Sequence, residues 1–278
     1  MKMEQHLILG DSKEVLKNLN EASIDLLATD PPYSIGFMGK SWDKALPDKE
    51  IWAECYRVLK PGAFIAVMSS PRSDVLYRMI KDLEDSGFDM SLSPILWTYH
   101  TGFPKASDTK KMIEKRGENG DKYEGSKLGF QPKPAVEHII IGMKPHGSKS
   151  YIDNVLNFEA LPDNIKMTYP FLQVPKPAKK EKDLGLNGEA KAIHPTTKPV
   201  KLMSYIITLF TREGDWVLDP FLGSGTTGVA SKLINRNFIG VEREKEYFDI
   251  CEERLSVSRE ELVKFFKMEK DNQTKLDL

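Results

Sequence analysis

Cysteine is nearly missing from this 278-residue chain: Cys55 and Cys251 are its two examples, far apart and both in segments with helical spacing. A disulfide framework or a cysteine-rich zinc centre is therefore not expected, no metal is assigned, and a reducing compartment fits. Net charge is also missing. With 40 Lys+Arg against 41 Asp+Glu the balance is −1, so the chain as a whole carries no basic signature of nucleic-acid binding. No apolar run approaches the ~20 residues that span a bilayer, and the N-terminus lacks a signal-like stretch. The expectation is a soluble, cytoplasmic protein with no membrane partner. At 40% hydrophobic residues the chain can bury a core for one or two domains.

What is present is alternation. Apolar runs at Leu7–Leu9, Ile24–Ala28 and Ala63–Met68 read as strands, the last as a parallel strand covered on both faces. Ser12 is placed to cap a short helix carrying Val15, Leu16 and Leu19. A second helix runs through Ile51, Cys55, Val58 and Leu59 to a stop at Lys60-Pro61-Gly62, and a third carries Val75, Met79 and Leu83 and closes at Gly87. The last third repeats the pattern: helix from Val200 to Phe210, strand from Asp215 to Asp219, helix through Val229 and Leu233, strand from Phe238 to Glu242. This order predicts an α/β fold with a doubly wound, mostly parallel sheet. Beyond about residue 257 a polar helix and tail are expected to be solvated and frayed.

Two stretches carry chemistry. Asp30-Pro31-Pro32-Tyr33 follows a buried strand, and its prolines remove two backbone donors and end any ladder. A carboxylate, carbonyls without local partners and an aromatic ring are left at a strand's carboxyl end, where open α/β sheets bind ligands. The set suits a flat heterocycle with an exocyclic amine: Asp30 and a carbonyl accept its hydrogens while Tyr33 stacks on the ring. The second stretch is Asp219-Pro220-Phe221-Leu222-Gly223-Ser224-Gly225-Thr226-Thr227, a strand end, glycine turn and helix start, followed by a strand ending in Glu242. It has the plan of a nucleoside-binding βαβ half, with Glu242 accepting ribose hydroxyls. The Gly-Lys-Ser/Thr ending of a P-loop is absent, and S-adenosylmethionine is the expected ligand. Asp11, just past the first strand, is either a cap or a site residue.

Between 101 and 193 the text is loop-rich, with lysine clusters and aromatics such as Phe103, Tyr123, Phe130, Tyr151 and Tyr169. Residues 101–200 hold 17 Lys+Arg and 12 Asp+Glu, a surplus of +5, so the positive charge is concentrated here. Such a segment suits phosphates and bases. It contains one clear strand, His138–Ile141.

Together these residues resemble the amino-methyltransferases that modify exocyclic nitrogens of DNA bases. Asp30-Pro31-Pro32-Tyr33 is similar to their catalytic motif in its adenine-favouring form, and Phe221-Leu222-Gly223-Ser224-Gly225 to their cofactor loop. His194-Pro195-Thr196-Thr197-Lys198-Pro199 resembles the segment completing the cofactor pocket, and Gly10-Asp11 a further position near the cofactor's adenine. The catalytic motif precedes the cofactor loop, as in the family's β-group, a circular permutation of the methyltransferase sheet.

The resemblance implies that 1–100 is the catalytic half, 101–193 a target-recognition insertion, 194–257 the cofactor half and 258–278 a helical tail. It implies transfer of methyl from S-adenosylmethionine to adenine N6 in double-stranded DNA, after base flipping. Thr196 and Lys198 are then expected at the cofactor's carboxylate end, and Asp219 at its amino group. Cytosine N4, an RNA or nucleoside substrate, and a silent binder remain open. So does oligomeric state, a homodimer included. Any nuclease partner would be a separate chain.

Overall fold

The structure, a computed structural model, describes residues 3–36, 45–99, 106–129, 135–160, 170–186 and 196–272. The expectations that fall on Phe103, Phe130, Tyr169 and His194-Pro195 lie outside these residues. The first third holds β1 (Gln5–Leu9), α1 (Ser12–Val15), β2 (Ile24–Thr29), α2 (Lys49–Val58), β3 (Leu59–Ser69), α3 (Ser73–Asp85) and β4 (Ile95–Thr98). The middle adds β5 (Ser107–Asp108), α4 (Thr109–Glu114), β6 (Lys127–Leu128), β7 (Val136–Met143), α5 (Tyr151–Phe158), β8 (Phe171–Gln173) and α6 (Lys179–Lys182). Then come α7 (Val200–Phe210), β9 (Trp216–Asp219), α8 (Thr226–Leu233), β10 (Asn237–Glu242), α9 (Lys245–Ser256) and α10 (Arg259–Asn272).

Among the described residues, eight strands form one sheet in the order β1-β10-β9-β2-β3-β7-β4-β8. From β1 to β3 every neighbour is parallel. β7 alone is reversed, antiparallel to both β3 and β4, and β8 runs parallel to β4. The expected doubly wound, mostly parallel sheet is therefore present. Side-chain alternation sorts the core onto its two faces. Leu26, Ala28, Ala66, Met68, Ile139 and Ile141 pack with α7 and α8 on one face. Leu27, Ile65, Val67 and Ile140 pack with Trp52, Cys55 and Met79 of α2 and α3 on the other.

Four local expectations need correction. Asp11, not Ser12, caps α1: its side chain accepts from Lys13 N at 2.9 Å. Ser12 is buried instead, and its hydroxyl donates to the Pro220 carbonyl. Leu59 opens β3 rather than ending α2, and Lys60-Pro61-Gly62 belongs to that strand. Ile24 faces Leu59 but Leu26 faces Phe64, so the residues between bulge out of the ladder. A bulge tolerates both Pro61, which has no N–H to donate, and Gly62 at φ +81°. The clear strand of the middle segment, extended to Val136–Met143, lies inside the principal sheet, so β3 is only half parallel in its pairing.

The fourth concerns the tail. α10 is anchored rather than wholly solvated, because Leu262 is fully buried in the α7–α8 core and Phe266 packs against it. Leu262→Ala should cost about 2–5 kcal/mol, the range for deleting a buried leucine side chain. Denaturant unfolding checks this, and a midpoint equal to the parent's would mean that the helix contributes nothing to the core. Among the described residues no helix is long and apolar enough to cross a membrane.

Candidate active site

The sheet winds outward from the junction of β9 and β2: β10 and β1 continue towards one edge, β3 and beyond towards the other. At such a switch point the loops at the strands' carboxyl ends diverge and leave a crevice. Here it is a cavity of about 460 Å³. Every residue of the two motifs from Asp30 to Tyr33 and from Asp219 to Thr227 except Gly225 borders it, as do Asp11, Thr196, Lys198 and Glu242. The two motifs, distant in sequence, meet because β2 pairs directly with β9. Thr29 at the end of β2 also donates to Asp219 Oδ1 at 2.5 Å.

On the β2 side, Tyr33 Oη donates to Asp30 Oδ1 at 2.6 Å, and the Lys198 ammonium pairs with Asp30 Oδ2. Glu137 of β7 completes the cluster, 3.5 Å from Lys198 Nζ and 3.3 Å from Tyr33 Oη. Burial opposes the Lys198 charge, but the Asp30 and Glu137 carboxylates more than reverse this and hold it above the ordinary lysine value. Burial and the same two carboxylates push the Tyr33 phenol well above its usual range. Lys198 is thus a buried cation at the Asp30 carboxylate. Its position follows from Pro199, the N-cap residue of α7, and from Glu181 of α6, whose carboxylate accepts Val200 N at 2.6 Å.

On the β9 side the glycine turn is braced from below. Asp219 accepts Thr29 Oγ1, Thr227 Oγ1 at 2.6 Å and Phe221 N at 3.0 Å, and it is almost wholly buried. These bonds make it a strut beneath the loop. Gly223 and Gly225 adopt φ +56° and +80°, the left-handed region that favours glycine. A Cβ on Gly225 would lie 3.2 Å from Cys251 Sγ. From α9, Cys251 Sγ donates to Gly223 O at 3.0 Å and Arg254 Nη1 to Ser224 O at 2.5 Å. Glu242 at the end of β10 accepts Gly223 N and Glu244 N, each at 2.8 Å, one per oxygen. Burial raises its pKa against those bonds and a further one from Arg243 N. Gly228 completes Gly-x-Gly-x-x-Gly spacing with Gly223 and Gly225, so glycine spacing alone does not separate a nucleoside from a dinucleotide.

Burial pushes Asp219 up to about 6 against the three hydrogen bonds that lower it. A carboxyl raised on folding destabilises when it ionises, so its contribution is fully present below the unfolded value and is lost as pH rises through 6. The span corresponds to on the order of 3 kcal/mol. The melting temperature of the parent should therefore rise relative to that of Asp219→Asn as pH falls from about 8 to about 5, whichever chain is the more stable at pH 8. A difference independent of pH would contradict this.

Sequence reasoning missed Glu137, Tyr99 and Arg254. Tyr99 donates to Glu137 Oε1 at 3.2 Å and has the Lys176 ammonium 4.3 Å from its ring centroid. Glu137 could have been flagged as a lone carboxylate at the mouth of the apolar run 138–141; Arg254 resembled any surface charge on a charged helix.

Residues 24–253 match the family of DNA methylases of the N6/N4 type. The chain is 32% identical over 261 residues to the type II methyltransferase M.HpaI of Haemophilus parainfluenzae, covering 91% of this chain and 74% of that one. It is 30% identical over 287 residues to the DNA adenine methyltransferase YhdJ of Escherichia coli K12, covering 97% and 90%. Among solved structures, the M1.HpyAVI–SAM complex superposes with a TM-score of 0.58 at 25% identity, covering 90% of this chain and 99% of that one. The cytosine-N4-specific PvuII DNA methyltransferase gives 0.60 at 22% identity, covering 96% and 93%, a likeness of fold.

Proposed function

This chain belongs to the N6/N4 DNA methylase family, and on that footing we propose that it methylates N6 of adenine in double-stranded DNA, with S-adenosylmethionine as the methyl donor. The observation that carries the reading is one cavity with Asp30 and Tyr33 on one wall and the Gly223–Gly225 turn with Glu242 on the other. The adenine assignment is supported by aspartate at the first motif position and by the relative named as an adenine enzyme.

The residues fit the donor. Glu242 borders the cavity, and beyond the backbone N–H bonds from Gly223, Glu244 and Arg243 its carboxylate keeps acceptor capacity for the ribose hydroxyls. Phe221, Val241 and Tyr247 give the cavity apolar surface for a purine, and the glycine turn admits main-chain approach. When bound, S-adenosylmethionine supplies a methyl group on a sulfonium that leaves as a neutral thioether, so no protein nucleophile is required.

The chain's own work is to hold the amine. The lone pair of adenine N6 is delocalised into the ring, which makes the nitrogen a poor nucleophile. Asp30 and the Pro31 carbonyl accept its hydrogens and favour a pyramidal nitrogen with its lone pair projecting into the cavity. Tyr33 packs against the flipped base, and Pro32 fixes the turn that presents both. The rate then comes from orientation and fixed dipoles. A base inside a duplex cannot reach this recess, so flipping precedes transfer.

Genomic DNA from cells making the parent chain should contain N6-methyladenine beyond that of cells making Asp30→Asn. An increase in N4-methylcytosine instead would assign the other base.

A further inference from the structure

Both oxygens of Asp30 already hold a donor from the chain itself: Tyr33 Oη on Oδ1 and the Lys198 ammonium on Oδ2. An amine arriving at this carboxylate competes with both. Beside these two donors stands one shared alternative acceptor. Glu137 Oε2 lies 3.3 Å from the Tyr33 hydroxyl and 3.5 Å from Lys198 Nζ, just beyond full hydrogen-bond length. A displacement of a fraction of an ångström moves either donor from Asp30 to Glu137. The acceptor is carried by a rigid element: β7 is paired on both sides, and Tyr99 Oη donates to the other Glu137 oxygen at 3.2 Å. Lys198 is 7% exposed, so water is a poor substitute partner for an ammonium leaving Asp30.

We propose that Glu137 is a positioning residue for methyl transfer: it takes over Lys198 and the Tyr33 hydroxyl as the target amine reaches Asp30, and so frees that carboxylate to accept the amine. This rests on the reading of Asp30 as the amine's acceptor. Only hydrogen bonds are exchanged in the step. Lys198 stays an ammonium, with one carboxylate partner before the amine arrives and another after.

Glu137→Gln keeps the size of the side chain and removes its charge. In transfer of labelled methyl to DNA, kcat should fall about 10- to 100-fold while the KM for DNA and the affinity for S-adenosylmethionine stay within about threefold. Glu137→Asp should recover part of the loss. In a Lys198→Met background the same Glu137→Gln change should cost less than about threefold more, because the cation to be relocated is gone. A parent-like kcat in Glu137→Gln overturns the proposal, as does full additivity of the two substitutions. If the glutamine chain does not fold, Glu137→Asp decides: a lower kcat with unchanged cofactor affinity and melting temperature supports the proposal, and a parent-like kcat refutes it. The parent run alongside separates two failures. No label from the parent in any DNA would refute the function itself, whereas an active parent beside an unaffected Glu137→Gln would refute only the role of Glu137.

Discussion

Asp30→Asn should lower methyl transfer by about a thousandfold, towards the upper end of what removing one preorganised electrostatic partner costs. Asp30 directly follows the buried strand β2 (Ile24–Thr29), so its position is set largely by the sheet. Asparagine fills the same space, yet it presents one acceptor and one donor where two acceptors stood, and it carries no charge to draw amine hydrogens. Cofactor affinity should stay within about threefold, because Asp30 lies across the cavity from the glycine turn and the interactions are separable. The measurement is single-turnover transfer with calorimetry on the same sample. Near-normal turnover with intact cofactor binding would remove Asp30 from the reaction and leave its cluster with Lys198 a structural ion pair.

Glu242→Ala should weaken S-adenosylmethionine by about 30-fold, equivalent to roughly 2 kcal/mol for a charge-assisted pair of hydrogen bonds. The carboxylate also braces the turn through Gly223 N and Glu244 N, so part of any loss could come through the loop. Removing the hydroxyls from the ligand separates the two contributions. An analogue lacking the ribose diol should bind the parent and Glu242→Ala chains nearly equally, since the missing partner is the same. Equal affinity of both chains for the complete cofactor would refute the ribose assignment; a persistent gap with the analogue would assign the loss to the loop.

Much of the fold and of the cavity was legible because both rest on local signals. Asp-Pro-Pro-Tyr ends a strand by removing donors, and the glycine turn is bounded by a strand, a helix and an acid. Both motifs fall at strand ends, so pairing β2 with β9 brings them together without further information. What stayed illegible was non-local. The reversal of β7 depends on which strand it pairs with, and a run such as Ile139-Ile140-Ile141 reads alike in either direction. The bulge at Lys60–Ala63 hid because proline and glycine ordinarily mark a boundary, whereas here the Pro61 carbonyl accepts Asn154 Nδ2 at 2.9 Å and the strand resumes. Lys198 shows the same limit at the site. Its segment was recognisable, but its ion pair with Asp30 comes from α7 packing over β2, and Glu137 carries no local signature apart from the apolar run after it.

The most direct test of the account is to incubate the purified chain with unmethylated DNA and methyl-deuterated S-adenosylmethionine, digest the DNA and weigh its nucleosides. Deuterated N6-methyladenine is expected, present with the parent chain and absent with Asp30→Asn. Label confined to N4-methylcytosine, or no label in DNA while the cofactor is bound, would contradict it.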